Sequence, residues 1–183
     1  MISLSIAPNL LEQDFTADAP NQKWVSDITY IPTDAGWLFL AGTIDLYSCK
    51  VVGWAMDQRM DRGLVLKALD MAIQNRAPAP GLIHHSDRGS QYASSNFRKA
   101  LTEAGMVASM SRKACGYDNA VVESFWHSLK VEMVHRRHFA TRAEATTAIF
   151  AYIAGFYNRI RRHSALGYLS PEAFEQAHVT KAA

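Results

Sequence analysis

The chain has 183 residues, of which 49% are hydrophobic and 20% are charged, and its formal net charge is +2. This composition is typical of one globular domain and excludes an intrinsically disordered chain. No apolar run is long enough to span a bilayer, and the N-terminus lacks the basic and apolar regions of a secretory signal. The two cysteines fit no disulfide or zinc pattern, so we expect a protein of the reducing cytoplasm.

The charge is distributed unevenly along the chain. Residues 1–109 carry nine Lys and Arg against eleven Asp and Glu, whereas residues 110–167 carry nine against four. A basic C-terminal half favours contact with a polyanion on one side of the molecule. On charge alone, a solvated basic face explains the pattern equally well.

The predicted elements follow in chain order. Residues 1–20 show no periodicity and are predicted to be a linker or tail. Three β-rich runs then predict an antiparallel meander, and helices and strands alternate after it. The strands are expected at residues 23–31, 37–48, 50–58, 82–87 and 106–111, and the helices at 62–76, 96–105, 119–133 and 141–162. This order predicts an α/β fold with a five-stranded mixed sheet flanked by helices.

Three acidic residues occupy unusual positions in these elements. Asp27 lies in the middle of the first strand, where aspartate is normally disfavoured. Asp87 closes the fourth strand, at the carboxyl end where open α/β sheets place their sites. Glu123 borders the apolar stripe of a helix that Asp118 or Asn119 is expected to cap, so we expect its carboxylate to be half-buried.

If the three carboxylates meet at one sheet edge, a bound cation would offset the repulsion between their negative charges. Oxygen ligands of this kind suit Mg²⁺ or Mn²⁺, and two such ions would clamp the attacking and leaving oxygens of a phosphoryl transfer. The alternative is that each acid is satisfied separately by a cap, a turn or an arginine. Asp45, also in mid-strand, shows how readily such an acid occurs, and the residues alone leave both interpretations open.

Several motifs of the chain resemble those of the integrase core of DDE transposases. They are WVSDITY at 24–30, HSDRGSQY at 85–92, DNAVVESFW at 118–126 and YNRIRRHSALG at 157–167. The strongest similarity is to the second-frame product of bacterial insertion sequences that encode the enzyme in two overlapping frames. The 35 residues between Asp87 and Glu123 match the spacing in this group and in retroviral integrases.

The resemblance implies a ribonuclease-H-like fold whose first three strands are antiparallel. It implies a catalytic core at residues 21–167, followed by a C-terminal tail at 168–183. It also implies that Asp27, Asp87 and Glu123 are the catalytic residues and the ligands of Mg²⁺ or Mn²⁺, with two ions per site when DNA is bound. Asp45 is not a principal ligand in this family.

The resemblance further implies a set of DNA contacts. Lys130 lies two helical turns beyond Glu123 on the same side of the helix, next to the reacting DNA end. The other predicted contacts are Arg112, Lys113, Asn119, Arg159 and Arg161. His85 is expected to support the metal ligands rather than bind the ion together with His84, because adjacent strand residues point to opposite faces.

The implied function is metal-dependent cleavage and joining of DNA strands by a transposase. Expected partners are the element ends, the target DNA and further copies of the chain, with no membrane and no organic cofactor, and the enzyme would act at the nucleoid. Relatives carry an upstream helix-turn-helix region, which residues 1–20 do not contain. Three alternatives therefore remain: an inactive remnant that binds DNA or inhibits intact transposase, a ribonuclease-H-like nuclease, and a protein-binding module.

Overall fold

The computed structural model describes residues 5–179, which form one five-stranded sheet with helices on both faces. The strands lie in the order β3-β2-β1-β4-β5. Their bounds are Lys23–Thr33 (β1), Gly36–Asp45 (β2), Val51–Asp57 (β3), Ile83–Ser86 (β4) and Val107–Met110 (β5). The first three strands are antiparallel, while β4 runs parallel to both β1 and β5. The predicted five-stranded mixed sheet is therefore confirmed.

Five α-helices accompany the sheet. They are Arg62–Arg76 (α1), Ser95–Glu103 (α2), Ala120–Glu132 (α3), Arg142–Phe150 (α4) and Pro171–Val179 (α5). One face of the sheet is covered by α3 and α4, whose Val122, Phe125 and Ile149 pack with Val25 and Ile31 of β1. The other face is covered by α1 and α2. Because β1 is central and parallel to β4, the middle of β1 and the end of β4 come near one another beneath α3.

The last long helix is shorter than the sequence predicted. The expected helix at 141–162 divides into α4 and a π-helical segment, Ala151–Tyr157, after which the chain turns. The wider turn places the Asn158 side chain against the edge of β3, where it accepts a hydrogen bond from Val51 N and donates one to Val51 O, each 3.0 Å long. These two bonds satisfy the edge of β3 and compensate for the helical hydrogen bonds that are lost where the π-helical segment ends.

The first turn of α3 also differs from the prediction. A 3₁₀ turn, Gly116–Asn119, leads into the helix, and Asn119 stands at the cap position without a side-chain capping bond. Asp118 does not cap the helix, because its carboxylate is bound to Arg112 instead.

Both predicted tails pack against the sheet where the structure describes them. Leu11 of the N-terminal segment is 2% exposed and belongs to the core. At the other end, Glu175 of α5 accepts two hydrogen bonds of 2.8 Å from Arg76. The same guanidinium lies 3.1 Å from the buried carboxylate of Asp45 and so joins α1, β2 and α5. Within residues 5–179, no helix is long and apolar enough to cross a bilayer.

Candidate active site

Three predicted acids line one cleft of about 320 Å³. Asp27 comes from the middle of β1, Asp87 follows the end of β4, and Glu123 stands in the first turn of α3. The topology of the sheet brings the two strands together, and α3 crosses above them. The fold thus gathers residues that are up to 96 positions apart in the chain.

Asp27 is half-buried and receives one hydrogen bond from a tryptophan. The indole Nε1 of Trp126 donates to Asp27 Oδ2 at 3.1 Å. The indole can lie this close to β1 because Gly42, the register partner of Asp27, has no side chain. A β-carbon at Gly42 would stand only 2.9 Å from the Trp126 ring.

The same surroundings change the ionisation of Asp27. Burial raises the pKa of its carboxyl to about 6, and the negative charges of Asp87 and Glu123 add to the increase. Hydrogen bonds from the Ile28 backbone and from Trp126 act in the opposite direction. Asp27 therefore experiences a surplus of negative charge, which a cation in the cleft would relieve.

Asp87 and Glu123 are held less tightly. Asp87 Oδ1 accepts a 2.8 Å hydrogen bond from Gly89 N, which orders the start of the DRGSQY loop. Glu123 is solvent-exposed, so the expectation of a half-buried carboxylate was wrong. The reason is that Glu123 points away from the buried stripe of α3 and towards the open side of the cleft.

The three acids of the cleft differ from the buried acids Asp45 and Asp118 in that they have no positively charged partner within residues 5–179. Asp45 is paired with Arg76, and Asp118 is paired with Arg112 at 2.9 Å. Asp27, Asp87 and Glu123 form no ion pair within residues 5–179. The alternative in which each acid is satisfied separately describes Asp45, whereas Asp27 and Asp87 receive hydrogen bonds from Trp126 and from the turn at Gly89 but, in the described part of the chain, no positive charge.

The donor set of the cleft suits a hard divalent cation. Carboxylate oxygens are the ligands that Mg²⁺ and Mn²⁺ prefer. Within residues 5–179, no group of three or more Asp, Glu, His or Cys side chains could by itself hold a metal ion. Mg²⁺ characteristically binds through one or two carboxylates, water and substrate phosphates, so an open set of acids fits it better than a cage would.

A braced loop forms one wall of the cleft. The carboxylate of Asp118 is 1% exposed and accepts hydrogen bonds from Arg112 N at 2.8 Å and from its guanidinium at 2.9 Å. These bonds to Arg112 hold the pKa of Asp118 well below its usual range. Asn9 and Gln13 of the N-terminal segment donate to the same carboxylate. The loop between β5 and α3 is therefore fixed from both sides.

His85 supports this loop from below. It is fully buried, with Nδ1 2.8 Å from Ser109 Oγ and Nε2 3.0 Å from the carbonyl oxygen of Asp118. Burial lowers the pKa of the imidazole. His84 points to the opposite face, where its Nε2 lies 2.8 Å from Ser26 Oγ. His85 thus contacts the loop rather than the three acids.

The predicted DNA contacts fall into two groups. Arg112, Lys113 and Asn119 line the acid cleft, and the buried Oδ1 of Asn119 has no hydrogen-bond partner within residues 5–179. Lys130 lies farther along α3, with its Nζ 5.3 Å from the centre of the exposed Tyr30 ring. Arg112, Lys113 and Asn119 therefore border the acids, with Arg112 also paired with Asp118, whereas Lys130 stands outside this lining.

Arg159 and Arg161 lie outside the acid cleft. Arg161 forms a 2.7 Å ion pair with Glu132, and Arg159 lies 3.6 Å from Glu172. Each lines a different groove of the molecule. Their role in binding DNA stays a prediction, and any such contact would be made away from the acids.

Two family models agree with this geometry. One described as "Integrase core domain" matches residues 17–115, and a second with the same description matches residues 123–179. The first alone spans more than half of the chain. The chain belongs to the integrase core domain family.

Curated relatives of this integrase core come from bacterial insertion sequences. The chain is 51% identical to "Insertion element IS600 uncharacterized 31 kDa protein" of Shigella sonnei, over 99% of this chain and 66% of that protein. It is also 51% identical to "Transposase InsF for insertion sequence IS3A" of Escherichia coli K12, over 96% of this chain and 61% of that protein. The chain thus spans just under two thirds of the length of these relatives.

Solved structures show the same fold at low sequence identity. A chain of the simian T-cell lymphotropic virus intasome, solved with PP2A regulatory subunit B56 gamma, has a TM-score of 0.72 and 16% identity, covering 96% of this chain and 60% of that one. The HTLV-2 integrase catalytic core domain in complex with magnesium has a TM-score of 0.65 and 16% identity, covering 86% and 98%. The predicted ribonuclease-H-like fold is confirmed.

Trp126 is the residue of the integrase core site that the sequence did not reveal. Its position on the apolar stripe of α3 predicts a core residue, and it is indeed 6% exposed. Its contact with Asp27 depends on the gap at Gly42 and on the register of β1 and β2. The available signal was its place in the ESFW motif, three residues after Glu123.

Proposed function

We propose that the chain is the catalytic domain of an insertion-sequence transposase that cuts DNA strands and joins them to a target. The observation that carries the proposal is a cleft with three carboxylates, none paired with a cation, beside a basic loop. Family membership and the 51% identity to a named transposase support the same reaction class.

Asp27, Asp87 and Glu123 would hold Mg²⁺ or Mn²⁺, with two ions per site when DNA is bound. Bound ions would polarise the scissile phosphate and activate water or a 3′-hydroxyl for in-line attack. Trp126 orients Asp27 through its indole N–H and favours the charged carboxylate. Arg112 and Lys113 would contact phosphates beside the acids, and Lys130 would meet the DNA end farther along α3.

The partners proposed for this chain are duplex DNA and further copies of itself. The related HTLV-2 core was solved in dimeric and trimeric forms, which supports self-association here. Bacterial relatives support action on chromosomal DNA in the cytoplasm. We also propose the division into an N-terminal segment at 1–20, a catalytic core at 21–167 and a C-terminal segment at 168–183.

Nicking of supercoiled plasmid tests the proposal without knowledge of the element's ends. The chain is incubated with plasmid and Mg²⁺ or Mn²⁺, and joining of a labelled duplex with a free 3′-hydroxyl is followed in parallel. We expect both products from the wild type and neither from Asp27→Asn, Asp87→Asn or Glu123→Gln, since each change removes a metal-binding charge. Circular dichroism establishes that every variant is folded.

Asp57→Asn and Glu103→Gln provide matched controls. Both acids lie outside the cleft and are paired with lysines, at 3.4 Å to Lys67 and 3.7 Å to Lys99. Normal activity of any variant of the acid triad would refute the assignment. DNA binding without nicking by the wild type would identify the inactive remnant, and preferential cutting of an RNA–DNA hybrid would identify the nuclease.

A further inference from the structure

A second groove runs along the opposite side of α3 from the acids. We name it the α3 back groove; it has a volume of about 530 Å³, and its polar lining consists mainly of Ser124, Ser128, Arg161, Arg162, His163 and Tyr168. Ser124 and Ser128 are separated from Glu123 by about 100–140° of helical rotation. The same helix therefore borders the acid cleft on one side and this groove on the other.

The lining of the α3 back groove is basic and free of carboxylates. It includes two arginines and one histidine but no Asp or Glu. Four other clefts in the described part of the chain each include at least one acidic residue. The carboxylate of Glu132 offsets the charge of Arg161, so the unpaired positive charge that this groove offers within residues 5–179 is that of Arg162.

The two arginines play different parts. Arg161 is held by Glu132 at 2.7 Å and reaches Ser128 Oγ at 3.3 Å, so its guanidinium is fixed in position. Arg162 is exposed and forms no ion pair within residues 5–179. An exposed arginine with five free donors is well suited to a phosphate.

Neutral donors complete the groove. The hydroxyls of Ser124 and Ser128 lie on α3, and Tyr168 is 69% exposed on the facing segment. The buried Nε2 of His163 has no hydrogen-bond partner within residues 5–179. Serine and tyrosine hydroxyls beside arginines are a common set of donors to the phosphates of DNA.

We infer that the α3 back groove binds the sugar-phosphate backbone of duplex DNA, with Arg162 as its principal phosphate contact. This inference rests on the proposed function, since it assumes that the chain acts on DNA. Charge complementarity and the absence of acids in the lining favour a polyanion over a protein partner. The groove and the acid cleft would then hold two segments of DNA on opposite sides of α3.

Fluorescence anisotropy with a labelled duplex of about 30 base pairs tests the inference. Binding is measured between about 50 and 200 mM salt in the Asp87→Asn background, so that the DNA is not cut. We expect Arg162→Ala to weaken binding several-fold and to lower the slope of log K against log salt by about 0.9, the value for one lost phosphate contact. Arg162→Glu should weaken binding further.

Two matched changes complete the design. Lys99→Ala removes one exposed positive charge from α2, and Lys99 is paired only with Glu103 four residues later. It is expected to keep the wild-type affinity and slope, whereas Ser124→Glu, which adds a charge to the back groove, should weaken binding as Arg162→Ala does. Circular dichroism of each variant excludes unfolding as the cause.

The outcomes separate this inference from the proposed function. If both Arg162 variants keep the parent's affinity and salt slope, the inference that the α3 back groove binds DNA is refuted, even where the wild type nicks plasmid. An equal loss in Lys99→Ala overturns it as well, because binding then follows total charge alone. Loss confined to the groove variants supports the inference even where no nicking is found. Failure of the parent to bind duplex, or its preference for RNA of the same length, overturns it.

Discussion

The carboxyl of Asp27 combines burial, hydrogen bonds from Ile28 and Trp126, and two neighbouring like charges. The charged form that would bind a metal is also the form that destabilises the fold. A folded-state pKa of about 6 lies above the ordinary value of 3.8. The folded chain therefore binds more protons than the unfolded chain between these two pH values, and stability falls as the pH rises through that window. Above it, the charged carboxylate destabilises the fold in the absence of a cation.

Asp27→Asn should consequently stabilise the protein while it abolishes catalysis. In EDTA at pH 7.5 we expect a gain in unfolding free energy of about 2 kcal/mol, because the uncharged amide avoids the penalty of burial. The gain should shrink towards zero as the pH falls from 6 to 4. Urea unfolding at several pH values measures it, with Asp57→Asn as the control. A destabilised Asp27→Asn at pH 7.5 would contradict the assigned cause.

The sequence identified the acids but could not describe their surroundings. Asp27, Asp87 and Glu123 were found because their motifs and spacing are local features. The hydrogen bond from Trp126 joins residues 99 positions apart and depends on the register of two strands. The exposure of Glu123 was missed, since a position next to an apolar stripe leaves both orientations open.

At the scale of elements, strands and helices with strong periodicity were predicted closely, and irregular segments were not. The strand β1 begins at Lys23 as expected, and α1 occupies the predicted residues 62–76. The π-helical segment has the same apolar pattern as an α-helix, so its wider turn is invisible in the sequence. The hydrogen bonds that fix the loop between β5 and α3 were equally hidden, because Asn9 and Asp118 are 109 residues apart.

Arg76 of α1 joins β2 and α5, and its replacement should destabilise the contacts among all three elements. Its guanidinium stands between Asp45, which is fully buried, and Glu175 of α5. Arg76→Met leaves the buried carboxylate of Asp45 with backbone hydrogen bonds from Asn21 and Tyr47 but without its cation. We therefore expect a loss of about 3–5 kcal/mol in unfolding free energy by urea denaturation. Arg62→Met on the exposed first turn of α1 serves as the control.

A second substitution tests the stated cause of that loss. The double variant Arg76→Met with Asp45→Asn removes both charges and should recover part of the stability of the single variant. If the double variant is less stable than Arg76→Met alone, the loss comes from packing of the arginine stem rather than from the unpaired charge.

At the scale of the whole molecule, the metal and the fold should be coupled. A cation that binds only the folded chain raises its apparent stability in proportion to the logarithm of its concentration. We expect the melting temperature to rise with added Mn²⁺ for the wild type and to stay constant for Asp87→Asn. Glu103→Gln should behave as the wild type does. A shift of equal size in Asp87→Asn would place the bound ion elsewhere on the protein.

The uneven charge of the sequence has a three-dimensional counterpart. Basic residues of the C-terminal half border both the acid cleft and the α3 back groove. The sequence predicted the excess of charge but not its division between two grooves. Arg161 illustrates the reason, since its pairing with Glu132 depends on how α3 meets the segment after the π-helix.

Gly42 lies on β2 opposite Asp27, and a β-carbon at this point would stand 2.9 Å from the Trp126 ring. Any other amino acid would therefore require a shift of the indole that donates to Asp27. A methyl group at position 42 would leave all three acids in the sequence. It would disturb the hydrogen bond from Trp126 to Asp27, the acid whose pKa is raised. Sequences that keep all three acids but lack this glycine would therefore differ in the hydrogen bond that Asp27 receives.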